Sequence, residues 1–207
     1  MTLGTLYLIA TPIGNLEDIT LRALRLLSEV DFLYAEDTRA AQVLLQRHHI
    51  DRSGVRSCFE GNEAERANEI IATLSEGRSV GFISEAGTPG VSDPGQRIAA
   101  RAIAHGAKVV ALPGASAVLT ALVGSGLPTD RYYFVGFPPR ETGPRQQLYG
   151  SLRTMPSTLV LYEAPHRAAE SLNDLCLALG EGRAACVARL YAITFCNGAP
   201  RIPNRPV

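Results

Sequence analysis

The chain has 207 residues, enough for one large domain or two small ones, each with a real core. Its 20 basic and 20 acidic residues cancel, so no global field draws it to nucleic acid or to an anionic membrane surface. Hydrophobic content of 46% with 19% charged residues fits a soluble globular protein, and four scattered cysteines without a C-x-x-C pair exclude a zinc ribbon or a disulfide framework.

Thr5-Leu6-Tyr7-Leu8-Ile9-Ala10 is a nearly continuous apolar run followed by the turn residues Thr11-Pro12-Ile13-Gly14-Asn15, the pattern of a buried parallel strand. It is too short to span a bilayer and has neither a basic flank nor a small-residue cleavage site. The expectation is a cytoplasmic protein without a membrane partner. Leu21, Leu24 and Leu27 give a helical stripe, and Phe32-Leu33-Tyr34-Ala35 a second strand that ends in Glu36-Asp37-Thr38-Arg39. A helix to about His49 follows with Thr38 as its cap, and Val55 to Phe59 reads as a weak third strand. Ala67, Ile70, Ile71 and Leu74 form the next helical stripe, closed by Gly77.

Val80-Gly81-Phe82-Ile83 is then a strand, Ser84 to Gly95 a glycine-rich turn, and Gln96 to His105 a helix with Ile98, Ala102 and Ile103 inward. Pro89 and Pro94 stiffen that turn, and Asp93 is placed to cap the helix with Pro94 at its first position. Lys108 to Leu112 is a further strand, with a second small-residue loop, Pro113-Gly114-Ala115-Ser116-Ala117, opening a helix to about Gly124. Strand–helix alternation of this kind predicts an α/β fold with a mostly parallel sheet whose ligands lie beyond the carboxyl ends of the strands. Gly126-Leu127-Pro128-Thr129-Asp130 marks a domain boundary, giving a first domain over 1–125. A second α/β domain over 126–196 has strands at 132–137, 158–162 and 185–188 and a helix from about Arg167 to Leu179 capped by Gly180. Residues 197–207, with three prolines and no period, read as a loosely ordered tail.

No G-x-G-x-x-G follows the first strand and no Walker lysine is present, which disfavours dinucleotides and nucleoside triphosphates. The loops at 86–93 and 113–117 suit a neutral or zwitterionic ligand gripped through backbone groups. Glu36, Asp37, Asp93, Glu163 and His166 are the polar candidates around them. Each also has a structural reading: Asp93, Glu36 and Asp37 as helix caps, and His166, after Pro165, as a surface cap. Apart from Lys108 every basic residue is arginine, whose planar fork suits phosphate, although base composition of the genome explains the same preference.

Six motifs appear in order: Thr11-Pro12-Ile13-Gly14-Asn15-Leu16, Ala35-Glu36-Asp37-Thr38-Arg39, Ala86-Gly87-Thr88-Pro89 with Ser92-Asp93-Pro94-Gly95, Pro113 to Ala117, Gly126 to Arg131, and Tyr162-Glu163-Ala164-Pro165-His166-Arg167. Together they resemble the ribosomal RNA small-subunit methyltransferase I family within the tetrapyrrole methylase superfamily. The resemblance implies two α/β domains with the cofactor cleft between them, and methyl transfer from S-adenosylmethionine to the 2′-O of a cytidine ribose in small-subunit ribosomal RNA. It implies cofactor contacts at Pro12, Gly87, Thr88, Pro89, Val91, Ser116 and Ala117, joined by Tyr162 and Ala188 of the second domain. Catalytic roles fall to Glu36, Asp37 and His166, and RNA contacts to Arg39, Arg131 and Arg167, which solvated surface arginines would equally explain; no metal is implied.

Glu85 stands where the family usually has aspartate. Phe59-Glu60-Gly61-Asn62-Glu63 lacks the family's flanking histidines. After Arg189 the text departs from the family, so the second domain is expected to be incomplete and to favour a homodimer. Two rival readings are a tetrapyrrole methylase acting on a small molecule, and an inactive homologue that only binds donor or RNA.

Overall fold

The computed structural model describes residues 2–180 and 182–189, and the backbone alone at 192–196. The expected tail at 197–207 lies outside the described residues. Two compact units divide between Ser116 and Ala117, upstream of the helix after which the sequence reading drew the boundary.

The first unit alternates strand and helix throughout. In order it contains β1 (Thr5–Leu8), α1 (Leu21–Glu29), β2 (Phe32–Ala35), α2 (Thr38–Arg47) and β3 (Arg56–Ser57), then α3 (Glu63–Ser75), β4 (Val80–Ile83), α4 (Gln96–Ala104) and β5 (Lys108–Ala111). The sheet order is β3-β2-β4-β1-β5, with every pairing parallel, so all five carboxyl ends share one edge. Side chains alternate across a strand, and that period sorts the core into two layers. Ile9, Leu33, Ala35 and Ile83 pack with α1 and α2 through Leu26, Leu27, Leu44 and Leu45. Leu6, Tyr34, Val80 and Phe82 pack with α3 and α4 through Ile70, Leu74, Ile98 and Ala102.

Several local expectations need correction. In α1 the buried stripe is Ala23, Leu26 and Leu27, while Leu21, the first residue after the Thr20 cap, is exposed. Asp37, not Thr38, caps α2: its carboxylate accepts from the N–H groups of Arg39 and Ala40 at 2.7 and 3.3 Å. Asp93 does not cap α4. The capping position is Gly95, whose φ of 127° a side chain would not tolerate, and no side chain caps that helix. Ile98 and Ala102 are buried as expected, but Ile103 faces solvent.

The second unit holds α5 (Ala117–Gly124), β6 (Tyr132–Gly136), α6 (Thr142–Ser151), β7 (Thr158–Leu161), a 3-10 turn at Pro165–Arg167, α7 (Ala168–Leu179), β8 (Ala185–Arg189) and β9 (Ala192–Cys196). Strands β6 and β7 pair in parallel, and β8 and β9 form an antiparallel pair. Helix α6 was not expected, because its buried side chains are Arg145 and Tyr149 and no apolar stripe announces them. The sequence alone assigns no element to 192–196, where the backbone forms β9. Among the described residues no helix is long and apolar enough to cross a membrane.

Candidate active site

The loops leaving β1, β4 and β5 are tied into one floor at the carboxyl edge of the first unit's sheet. Thr11 and Gly87 form an antiparallel bridge, Thr11 N–H donating to Gly87 O at 2.9 Å and Gly87 N–H to Thr11 O at 3.0 Å. The Thr11 hydroxyl donates to Ser84 O at 3.3 Å, and the Ser84 hydroxyl to Gly87 O at 3.2 Å. Thr88 reaches the third loop, its hydroxyl donating to Ala115 O at 3.1 Å. Gly87 has φ of 80°, and a Cβ there would meet Ile13 Cγ2 at 3.2 Å, so this close approach of two loops requires glycine. Pro12 and Pro89 are buried in the floor, with Thr88, Val91 and Ser116 half-buried around it. Six of the expected cofactor contacts in the first unit, Pro12, Gly87, Thr88, Pro89, Val91 and Ser116, therefore lie on connected loops.

The far half of the β4 loop is held from below by a residue the sequence reading left without a role. Glu63, at the start of α3, is buried, and its Oε1 accepts from Gly95 N–H at 3.0 Å. Gly90 N–H donates to Pro94 O at 3.0 Å, and Ser92 sits between them in the left-handed region with φ of 63°. A non-glycine residue held there is strained, and the surrounding bonds enforce it. Only the acidic first turn of α3 signals Glu63 in sequence; its partner lies 32 residues away.

Three carboxylates, Glu36, Glu85 and Asp93, lie near one another at this edge. Glu36 Oε2 accepts from Glu85 N–H at 3.0 Å, joining the β2 and β4 loops. Asp93, freed from capping, is half-buried and has no hydrogen bond or ion pair among the described residues. Burial, reinforced by the neighbouring charges of Glu36 and Glu85, pushes its carboxyl up to about 6. Asp37 has the opposite environment. Its hydrogen bond with the Arg39 side chain, together with the α2 N–H groups, holds it below the usual carboxylate range. Arg39 is largely in solvent and pairs with Asp37 at 3.2 Å.

The second unit places Tyr162 just after β7, with Phe134 edge-on at 5.0 Å and Phe137 at 5.3 Å between ring centroids. His166 is exposed on the 3-10 turn, Ala188 is exposed on β8, and Ala117 is the first residue of α5. Arg131 is exposed ahead of β6, its carbonyl accepting from Thr158 N–H at 3.0 Å. Arg167 is not a free phosphate fork: it pairs with Glu163 at 2.8 Å and donates to Pro138 O at 3.2 Å, with its side chain 16% exposed. Its Nε is buried without a partner among the described residues. Among the described residues no group of three or more His, Cys, Asp or Glu side chains is arranged to hold a metal ion.

Comparison with known proteins places this geometry in context. Residues 5–194 match the family described as Tetrapyrrole (Corrin/Porphyrin) Methylases. A Mesorhizobium japonicum protein named "Ribosomal RNA small subunit methyltransferase I" is 49% identical over 190 residues, 92% of this chain and 64% of that one. A protein of the same name from Halalkalibacterium halodurans is 46% identical over 177 residues, 86% of this chain and 61% of its own. The chain thus spans less than two thirds of those relatives' length. A crystal structure of diphthine synthase superposes with a TM-score of 0.65 at 19% identity, covering 84% of this chain and 72% of its own, a likeness of fold alone. With a match running through nearly the whole chain, over a parallel sheet whose edge loops are joined into one floor, the chain belongs to the tetrapyrrole methylase family.

Proposed function

We propose that the chain acts as an S-adenosylmethionine-dependent methyltransferase on the ribose 2′-O of a cytidine in small-subunit ribosomal RNA. The observation that carries the reading is the Thr11–Gly87 bridge with its Thr88–Ala115 extension. It presents a backbone-rich, glycine-lined surface without a phosphate-binding lysine, which suits a zwitterionic amino acid and a neutral thioether or sulfonium better than a polyphosphate. The names borne by the relatives support the substrate class.

S-adenosylmethionine, when bound, supplies an already activated methyl group, so the chain's own task is positioning and proton removal. Pro12, Gly87, Thr88, Pro89, Val91 and Ser116, on connected loops of the first unit, hold and orient the donor. Alignment of this kind is worth effective molarities on the order of 10⁵ M or more. Asp93 accepts the hydroxyl proton, because a half-buried carboxylate raised towards neutral pH is both ionised and basic under cellular conditions. Glu36 fixes the Glu85 backbone beside it, while Asp37 with Arg39 serves the acceptor. Exposed apolar side chains on α5 and β6, Val123, Tyr132 and Tyr133 among them, favour self-association as a homodimer.

The test is transfer of labelled methyl to small subunits lacking the modification, followed by mapping of the modified ribose. Calorimetry with S-adenosylhomocysteine tests the donor half separately. Donor binding without transfer to RNA would leave only a binding protein, and transfer to a tetrapyrrole instead would replace the substrate class.

A further inference from the structure

Arg167, expected to grip RNA, is spent inside the protein, and what it holds in place is a loop of different character. Phe137-Pro138-Pro139-Arg140 leaves the carboxyl end of β6. Pro138 is buried and its carbonyl accepts from Arg167, whose guanidinium is fixed in turn by Glu163. Two consecutive prolines fix φ and stiffen the segment. Arg145, fully buried, donates to Arg140 O at 2.9 Å from the other side. On this braced loop the Phe137 side chain is 61% exposed, yet its ring is not loose: Tyr162 packs at 5.3 Å and 55°, and Phe134 braces Tyr162 at 5.0 Å and 72°. The Arg140 side chain has no hydrogen bond or ion pair among the described residues.

We propose that Phe137 is a stacking platform for an unpaired base of the RNA acceptor, with Arg140 meeting the adjoining phosphate and Arg167 acting as a positioning residue. The inference rests on the RNA reading given above and names the surface that reading lacks. Single-stranded RNA is recognised by splaying bases onto aromatic faces, with arginines tracking the backbone. A braced, exposed ring three residues before a guanidinium that has no partner among the described residues matches a base and its phosphate. A protein-docking patch calls instead for a contiguous apolar area of several hundred Å². The ring needs no sequence readout, so stacking supplies affinity and orientation while other contacts choose the nucleotide.

The chain has no tryptophan, so Phe137→Trp installs a single fluorescent reporter in it. Titration with a short cytidine-rich single-stranded oligoribonucleotide should quench it, and the same sequence in a duplex should not. Phe137→Ala should weaken oligonucleotide binding about tenfold, with Phe137→Tyr restoring it. Arg140→Gln should flatten the salt dependence. Thermal unfolding reports that all four variants are folded, and calorimetry with S-adenosylhomocysteine should give the parent affinity for Arg140→Gln. Absence of quenching, or quenching by S-adenosylhomocysteine rather than by RNA, overturns the platform. Should Phe137→Ala fail to fold, the tryptophan and tyrosine variants decide the matter alone. Methyl transfer that survives Phe137→Ala with unchanged KM for RNA refutes the platform and leaves the methyltransferase reading standing. Quenching by RNA in a chain that transfers no methyl does the reverse.

Discussion

Thr11 and Gly87 exchange both of their backbone hydrogen bonds, at 2.9 and 3.0 Å, although they belong to loops that leave different strands. The pair closes because β1 and β4 are parallel neighbours with Leu8 opposite Phe82, so the chain leaves both strands at the same height. Gly87→Val adds a β-branched side chain at φ of 80° and against Ile13. A stability loss of about 2–3 kcal/mol is expected from the backbone strain alone. Affinity for S-adenosylhomocysteine should fall with it, whereas Val43→Ala, on the exposed face of α2, should change neither. Urea unfolding and calorimetry on both variants check this, and a Gly87→Val protein of unchanged donor affinity would remove the loop from the site.

The strands were legible where burial made them so. Val80–Ile83 is buried at every position and ends in a glycine turn, so both ends are marked in the sequence. What could not be read was geometry set by distant partners. Asp93 looks like a cap because it precedes Pro94, but Gly95 takes the capping position under the hold of buried Glu63, and that bond closes only in the folded sheet. Helix α6 hid for a related reason: its inward face is an ionic network with α7, which leaves no apolar period to detect. The site loops themselves were legible as glycine and proline clusters, while the cross-loop bonds that join them were not.

Glu63 offers a test of that hidden support. Its carboxylate accepts from the Gly95 N–H and lies 4.0 Å from Arg97 Nε, so Glu63→Gln, which keeps a carbonyl oxygen for the first bond, should retain donor affinity. Glu63→Ala leaves a buried N–H without an acceptor, at a cost of about 1–3 kcal/mol. It should also loosen the turn carrying Ser92 and Asp93. Hydrogen exchange at residues 90–96 should rise in the alanine variant alone. Equal protection in the two variants would show that the turn stands without Glu63.

Asp93 makes stability and activity depend on pH in opposite ways. Its folded carboxyl lies near 6 against an ordinary 3.8, so the native state binds the proton more firmly than the unfolded chain does. The stability this supplies is complete below about pH 4 and is lost as pH rises to about 6. Asp93→Asn should therefore be more stable than the parent above pH 6, by about 1–3 kcal/mol, with the difference vanishing near pH 4. Methyl transfer should run the other way, rising through pH 6 in the parent as the carboxylate forms and losing that limb in the variant. Urea midpoints and single-turnover rates over pH 4–8 measure both; a variant less stable at pH 8, or a rate limb that persists, would contradict the assignment.

Arg145 lies at the centre of the second unit's helix pair. Fully buried on α6, its Nε donates to Asp174 Oδ2 at 2.7 Å and its Nη2 to Glu170 Oε1 at 2.6 Å, both on α7. Asp174 is buried as well and also accepts from Gln146 at 2.6 Å; that hydrogen bond first, and Arg145 after it, keep its carboxyl below the ordinary range. Glu170 is 59% exposed, so water replaces whatever it loses. Removing the arginine strands a buried carboxylate, which is worse than removing both charges together. Stability should accordingly fall most in Arg145→Met and least in Glu170→Ala, with the double variant Arg145→Met, Asp174→Leu recovering much of the single variant's loss. Because Arg145 also holds Arg140 O, the single variant should weaken RNA binding without touching donor affinity. Thermal unfolding, oligonucleotide titration and calorimetry on these proteins separate the two effects. A double variant no more stable than Arg145→Met would mean that the guanidinium matters for its packing volume rather than for its charge.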